Sequence, residues 1–190
     1  MLNAFNSRVA AAIMLGASVV CAAEAQTAKT NPDAQLLQDF RSRIDAYMKL
    51  HDRLEKRGPK LEETSEPAKI KASQDALAAQ IRAARKDAKP GDIFTPEIRT
   101  LLRRLMYPET KGAEGAQTKQ TIKEDAPVAV PMKVNGTYPE SQPLPTVPPN
   151  LLASLPELPE DLEYRIVGRT LILRDVHANI IVDFIPNAIR

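Results

Sequence analysis

The sequence predicts an α+β protein, with helices in its N-terminal part and a small antiparallel sheet at its C-terminal end. Over residues 33–107, apolar residues recur three and four positions apart, which is the spacing of an amphipathic helix. Over residues 161–190, apolar and polar residues alternate, which is typical of a half-buried strand. A proline-rich connector at 108–160 separates the two parts. We therefore expect an antiparallel helical hairpin or three-helix unit, followed by a three-stranded β-meander.

The first predicted helix covers residues 33–57. Asn31 is a good N-terminal cap, Pro32 fits the first helical turn, and Gly58 ends the pattern. One apolar seam runs along this helix, and its members are Leu37, Phe40, Ile44, Tyr47, His51 and Leu54. Because His51 belongs to that seam, we expect it to be a packed or partly exposed residue of the helix face rather than a ligand.

Two further helices are predicted before residue 108. The first begins near Pro67 and extends to Lys89, and the second begins at Thr95, with Pro96 in its first turn. The short connection between the first two helices favours an antiparallel pair. A three-helix bundle and a dimer of the two long helices both fit this pattern, and the sequence leaves both arrangements open.

The segment 108–160 is predicted to be a flexible connector. Residues 109–126 are polar and show no periodic apolar pattern, and prolines crowd the positions that follow. Proline fixes φ and removes a backbone donor, so neither a regular helix nor a central strand is expected there. One short helix is expected inside the connector, at Pro149–Leu155.

Three strands are predicted in the C-terminal meander at 161–190. The strands and turns, in order, are Leu162–Val167, the Gly168-Arg169 turn, Thr170–Arg174, the Asp175–Asn179 turn and Ile180–Ile185. Glycine at the first place of a two-residue turn suits type II′ geometry. A sheet of this size is stable only when something covers its apolar face. The helices or the 151–158 segment are expected to do so.

The N-terminal residues 1–25 have the three parts of a secretory signal peptide. Arg8 gives a basic start, Val9–Val20 is apolar, and Ala23–Ala25 forms a cleavage site of the A-x-A type. The apolar run is shorter than the roughly 20 residues that a spanning helix needs, which argues against the alternative of a retained membrane anchor. We therefore expect an exported protein with a linker at 26–32 and no transmembrane segment after cleavage.

Removal of the signal peptide would leave a chain without cysteine, because Cys21 is the single cysteine. Its neighbours Ser18 and Val20 are not those of lipoprotein processing, so we assign Cys21 to the removed segment. A chain without cysteine has no disulfide, thiolate nucleophile or zinc–thiolate site. The sequence also lacks G-x-S-x-G, H-E-x-x-H and a glycine-rich phosphate loop. Neither an enzyme nor a cofactor is therefore expected.

A metal site is the one chemical site that the sequence suggests. His177 lies two residues after Asp175, and Asp183 could approach it across the last hairpin. Histidine and carboxylate groups are common ligands of divalent metals, and a site usually gathers three or more of them. The alternative is ordinary turn chemistry, in which Asp175 bonds the backbone of its own turn. The candidate ligands are His177, Asp175 and Asp183, with a structural turn as the alternative.

Charge is distributed unevenly along the chain. Lys and Arg outnumber Asp and Glu between residues 67 and 106, and the reverse holds between 107 and 165. The basic helices therefore either dock the acidic, proline-rich segment of the same chain or make peripheral contact with an anionic envelope surface. Nucleic acid is not an expected partner, because the chain is exported and its basic stretch lacks interleaved aromatic residues.

Four stretches of the C-terminal part carry a family likeness. They are Val134–Pro139 (VNGTYP), Pro143–Pro149 (PLPTVPP), Leu162–Asp175 (LEYRIVGRTLILRD) and Ala178–Ile185 (ANIIVDFI). Over residues 134–189 the chain resembles an uncharacterised family of exported bacterial proteins, and this resemblance implies a periplasmic location. The ending is also similar to that of small periplasmic proteins linked to nickel and cobalt homeostasis.

These features predict a non-enzymatic accessory or binding protein of the bacterial cell envelope. Its function would depend on contact with a protein partner or on self-association, through an exposed helix seam or a sheet edge. The alternative is a periplasmic metal-homeostasis or stress-response factor, which would use His177, Asp175 and Asp183.

Overall fold

The structure, a computed structural model, describes residues 31–58, 65–127 and 130–189. The predicted signal peptide at 1–25 and most of the predicted linker lie outside these residues. The elements are α1 (Pro32–Glu55), α2 (Pro67–Ala84), α3 (Pro96–Met106), a 3₁₀ turn (Pro108–Thr110), α4 (Gly112–Glu124), α5 (Pro149–Ser154), β1 (Leu162–Val167), β2 (Thr170–Asp175) and β3 (Ile180–Ile185). The helices precede an antiparallel three-stranded sheet, so the α+β class is confirmed.

Helix α1 is the long element on which α2 and α3 pack. The side chain of Asn31 accepts a bond of 3.0 Å from the backbone N–H of Asp33, which caps the helix as its sequence predicts. Apart from the half-buried Leu37, its seam residues are buried, and α1 contacts both α2 and α3. The ring of Phe40 also stacks on the ring of Phe94, in the loop before α3, with centroids 5.9 Å apart. The seam therefore fixes which face of α1 turns towards the core.

Helix α4 occupies a segment that the sequence predicts to be a flexible connector. Its buried residues are Gly115, Thr118 and Ile122, so small and polar groups provide most of the contact and leave no periodic apolar pattern. A Cβ atom on Gly115 would lie 2.2 Å from the carbonyl carbon of Thr110. Glycine therefore lets α4 pack directly on the preceding 3₁₀ turn, and this contact replaces the missing apolar seam.

The sheet has the order β1-β2-β3, and both of its connections are short turns. Val167 pairs with Thr170 across the first turn, where Gly168 has φ +59°, the left-handed value that a type II′ turn needs. The helices cover one face of the sheet, which belongs to the main core. A second, smaller cluster of Tyr138, Val167, Ile172 and Ile181 lies on the other face.

The segment that precedes α5 also differs from a free connector, because part of it pairs with β3. The N–H of Asn135 donates to the carbonyl of Ile181 at 2.8 Å, and the N–H of Ile181 donates to the carbonyl of Gly136 at 2.8 Å. Basic α2 contacts the same segment, since Lys71 lies 2.9 Å from Glu140. These contacts support the interpretation that the basic helices dock the acidic, proline-rich part of the chain.

Candidate metal centre

Asp175, at the end of β2, joins the sheet to α1. Its Oδ2 accepts from the hydroxyl of Tyr47 at 2.6 Å and lies 2.7 Å from Nδ1 of His51, one turn further along α1. Its Oδ1 accepts from the backbone N–H of Ala178 at 2.7 Å. Burial alone would raise the pKa of Asp175, but the bonds from His51, Tyr47 and Ala178 outweigh it and hold the pKa below its ordinary value. The carboxylate is therefore ionised and serves as an acceptor.

The bond to Asp175 fixes the tautomer of His51. An ionised carboxylate can only accept, so Nδ1 of His51 carries the proton and Nε2 is left as a potential ligand. The His51 side chain has no exposed surface, and its Nε2 has no hydrogen-bond partner among the described residues. Burial alone would lower the pKa of His51, but the bond and the charge of Asp175 raise it overall.

His177 approaches His51 from the turn between β2 and β3. Its Nδ1 lies 2.8 Å from Oε1 of Glu55, and its Nε2 lies 3.4 Å from Oδ1 of Asp161. The two imidazole rings have their centroids 5.8 Å apart. Each histidine thus has a carboxylate at Nδ1, which is the arrangement that orients metal-binding histidines for coordination through Nε2.

Strand pairing places Asp161 beside His177. Leu162 pairs with Asp175, and the N–H of Val176 donates to the carbonyl of Asp161 at 2.9 Å. Asp161 therefore lies directly across the hairpin from Val176, next to His177. Its position is fixed by the backbone register rather than by side-chain packing.

We call His51, Asp161 and His177 the candidate metal centre. Each offers one ligand atom, and the three atoms lie within 4.8 Å of one another. Around a tetrahedral metal with bonds of about 2.1 Å, ligand atoms are about 3.4 Å apart. Asp161 and His177 are partly exposed while His51 is buried. Small rotations of the two outer side chains would therefore complete the site on a fixed inner histidine.

The three ligands predicted from the sequence do not form this cluster, because only His177 belongs to it. Asp175 lies behind His51 and supports it. Asp183 accepts from four backbone N–H groups, those of Gly91, Ile93, Phe94 and Phe184, at 2.8–3.0 Å. The carboxylate of Asp183 therefore holds the loop before α3 against β3, and its role is structural.

Two residues of the candidate metal centre, His51 and Asp161, were not predicted as ligands from the sequence. His51 does pack in the α1 seam as expected, where its Nδ1 is bonded to Asp175, while its Nε2 has no hydrogen bond and lies 3.7 Å from Oε2 of Glu55. A signal for it was the spacing of four residues between His51 and Glu55, which puts both on one helix face. Asp161 could have been found from the hairpin register, because the residue before β1 faces the residue after β2.

A cleft of about 600 Å³ borders the candidate metal centre, and we call it the α1–α2 cleft. Two of its residues, Glu55 and His177, also surround the centre. The remaining residues that line it are Lys56, Gly58, Ile70, Ser73, Gln74, Ala76, Leu77, Gln80 and Val176. Within 31–58, 65–127 and 130–189, no helix combines the length and the apolar character that crossing a membrane requires.

Comparisons with known proteins add no assignment to this geometry. No protein-family model, curated protein or solved structure matches the chain.

Proposed function

We propose that this protein is a non-enzymatic, exported binding protein of the bacterial cell envelope, and that its ligand is a divalent transition-metal ion held by His51, Asp161 and His177. One observation carries the proposal, the buried Nε2 of His51 that lacks a hydrogen-bond partner in the described structure. A buried polar atom without a partner costs about 1–3 kcal/mol. A metal ion bound to this nitrogen would remove that cost.

The donor set indicates which metals the site would bind. Two imidazole nitrogens and one carboxylate suit Zn²⁺, Co²⁺, Ni²⁺ or Cu²⁺, whereas Mg²⁺ and Ca²⁺ prefer oxygen ligands alone. The carboxylates of Glu55 and Asp175 would hold the two imidazoles in place during binding. Metal affinity is therefore expected to follow the order Zn²⁺ < Cu²⁺, with Mg²⁺ and Ca²⁺ far weaker.

Export and the absence of catalysis rest on sequence features. Residues 1–25 have the composition of a signal peptide, and the resemblance over 134–189 is to exported bacterial proteins. No motif of an activated nucleophile or phosphate loop occurs in the chain. A periplasmic metal-binding role agrees with both features.

Metal titration of the chain, purified without a histidine tag, tests the proposal. We expect one Zn²⁺ per chain in competition with a chromogenic chelator. Asp161→Asn and His177→Gln should each weaken binding by about tenfold or more, because each removes one ligand. Glu160→Gln is the matched control, since it changes the exposed neighbour of Asp161. Equal affinities of Asp161→Asn and Glu160→Gln would refute the proposed ligand set.

A protein partner at the sheet edge is a second candidate function. In the described part of the chain, β1 pairs only with β2, so no strand pairs with its outer edge there. A cleft of about 580 Å³ with the exposed Leu152 lies next to β1. Pull-down from an envelope extract, with light scattering of the same sample, should recover a partner or a dimer that Leu152→Asp abolishes. A monomer without any partner would contradict this second function.

A further inference from the structure

The candidate metal centre and the α1–α2 cleft are continuous with each other. Glu55 and His177 belong to both, with Glu55 bonded to Nδ1 of His177. His51 closes the opposite side, because its side chain is completely buried. A metal ion held between these residues would therefore meet protein on its inner side and the cleft on its outer side.

The number of protein ligands leaves one position of the metal free. His51, Asp161 and His177 provide three donors, while divalent zinc and cobalt in proteins take four or more ligands. Glu55 is not a member of this group: its Oε1 is bonded to Nδ1 of His177, which it orients, and its Oε2 lies 3.7 Å from Nε2 of His51. The fourth position of the metal is therefore left to a molecule from the cleft or to water.

The cleft has the chemistry of a small-molecule site. Its volume of about 600 Å³ lies in the range typical of ligand pockets. Ile70, Leu77 and Val176 give it apolar walls, and Lys56 is a cation among its lining residues. A divalent ion in the centre together with Lys56 would outweigh the carboxylates of Glu55 and Asp161, so this cleft with its apolar walls suits a ligand with one anionic group and an aliphatic chain.

We propose that the α1–α2 cleft binds a small aliphatic monocarboxylate when a divalent metal occupies the candidate metal centre. The carboxylate takes the free metal position, and the chain lies against Ile70 and Leu77. This inference rests on the proposed metal-binding function, because the metal supplies the main attraction for the carboxylate. Without metal, the acidic groups of Glu55 and Asp161 repel the same ligand.

Cobalt spectroscopy on the full chain separates the two proposals. Co²⁺ reports on its own coordination through visible absorption, and the probes are hexanoate and acetate. We expect hexanoate to change the spectrum of the bound Co²⁺ and to bind at least about tenfold more tightly than acetate, because four additional CH₂ groups enter the cleft. No Co²⁺ spectrum at all would refute metal binding itself. A Co²⁺ spectrum that hexanoate leaves unchanged would overturn only the ternary complex.

Two surface variants locate the carboxylate in the cleft. Ile70→Ser should weaken hexanoate binding by roughly tenfold and leave Co²⁺ affinity unchanged, since Ile70 is a partly exposed wall residue outside the metal centre. Leu144→Ser is the matched control, because Leu144 has the same exposed fraction and does not line the cleft. Lys56→Gln should weaken both hexanoate and acetate by about threefold. Equal hexanoate affinity in Ile70→Ser and Leu144→Ser would overturn the assignment to this cleft.

Discussion

Asp175 and Asp183 are two completely buried carboxylates of the same small sheet, and they differ in what bonds to them. Asp183 accepts hydrogen bonds only from backbone N–H groups, and these groups have no second polar atom that could bind a further partner. Asp175 receives a backbone N–H, a phenol and an imidazole, and the imidazole carries a second nitrogen on its far side. A buried carboxylate therefore indicates a ligand site only when one of its hydrogen-bond partners has a second polar atom that can bind a ligand.

Replacement of Asp183 should have the largest effect on stability. Asp183→Ala leaves several buried N–H groups without an acceptor, so we expect a loss of about 4 kcal/mol in the free energy of unfolding, measured by urea denaturation. Zn²⁺ affinity of the folded fraction should change less than twofold. Asp52→Ala is the control on an exposed site. A folded Asp183→Ala protein that no longer binds Zn²⁺ would contradict the assignment of a structural role to Asp183 and a metal-site role to Asp175.

Replacement of Asp175 should reduce Zn²⁺ affinity more than replacement of Asp183 does. Asp175→Asn keeps the shape but weakens the bond that orients His51, so we expect a 10- to 100-fold loss of Zn²⁺ affinity in chelator competition. The stability of the metal-free chain should fall by about 2 kcal/mol. Unchanged Zn²⁺ affinity would show that His51 is not a ligand or needs no orientation.

The contribution of His51 to the stability of the metal-free chain and the affinity for Zn²⁺ should change with pH in opposite directions. The raised pKa of His51 means that protonated His51 stabilises the metal-free fold below its unfolded pKa of 6.5, and this contribution is lost as the pH rises through the folded pKa. Metal needs unprotonated Nε2, so Zn²⁺ affinity should instead increase over the same interval. Asp175, with its lowered pKa, stabilises the fold above pH 3.8 and loses this effect as the pH falls through its folded pKa.

Unfolding measured with and without saturating Zn²⁺, from pH 5 to pH 8, checks these signs. The stabilisation by Zn²⁺ should grow steadily with pH. His177→Gln serves as the comparison, because it lacks one ligand and retains His51. A Zn²⁺ effect that stays constant with pH would exclude histidine ligands.

Removal of the Tyr47 hydroxyl should have the smallest effect. Burial, followed by the charge of Asp175, raises the pKa of Tyr47 well above its ordinary value, so the group remains a neutral donor. Tyr47→Phe removes one of three bonds to Asp175, and we expect a loss of about 1 kcal/mol in stability. Zn²⁺ affinity should fall less than threefold, because His51 keeps its own bond. A loss as large as that of Asp175→Asn would make Tyr47 part of the positioning network.

Helix α1 and the meander were predictable because their patterns are local. The α1 seam repeats over several turns between a cap at Asn31 and a stop at Gly58, and the strands alternate on both sides of Gly168. Helix α4 was not predictable, since Gly115 and Thr118 bury surface without an apolar repeat. The pairing of Asn135 and Gly136 with Ile181 uses backbone groups, which leave no pattern in the side chains.

The candidate metal centre was predictable only in part, because its members come from distant parts of the chain. His177 stood out as a turn histidine, whereas 124 residues separate His51 from the carboxylate that orients it. A helix periodicity shows that His51 faces the core but does not show which ring nitrogen finds a partner. The same limit applies to Asp183, whose role depends on a loop that meets β3 only in the folded chain.

The sequence by itself determined the α+β class, the first helix and the Gly168-Arg169 turn, because helix and strand periodicities are properties of neighbouring residues. It also predicted that a metal site would use imidazole and carboxylate groups, because the single cysteine lies in the predicted signal peptide. Only the tertiary structure decided which of these groups meet. Packing of α1 on the meander buries His51 with Nδ1 bonded to Asp175 and brings its ring close to Asp161 and His177. This arrangement depends on contacts that no local pattern encodes.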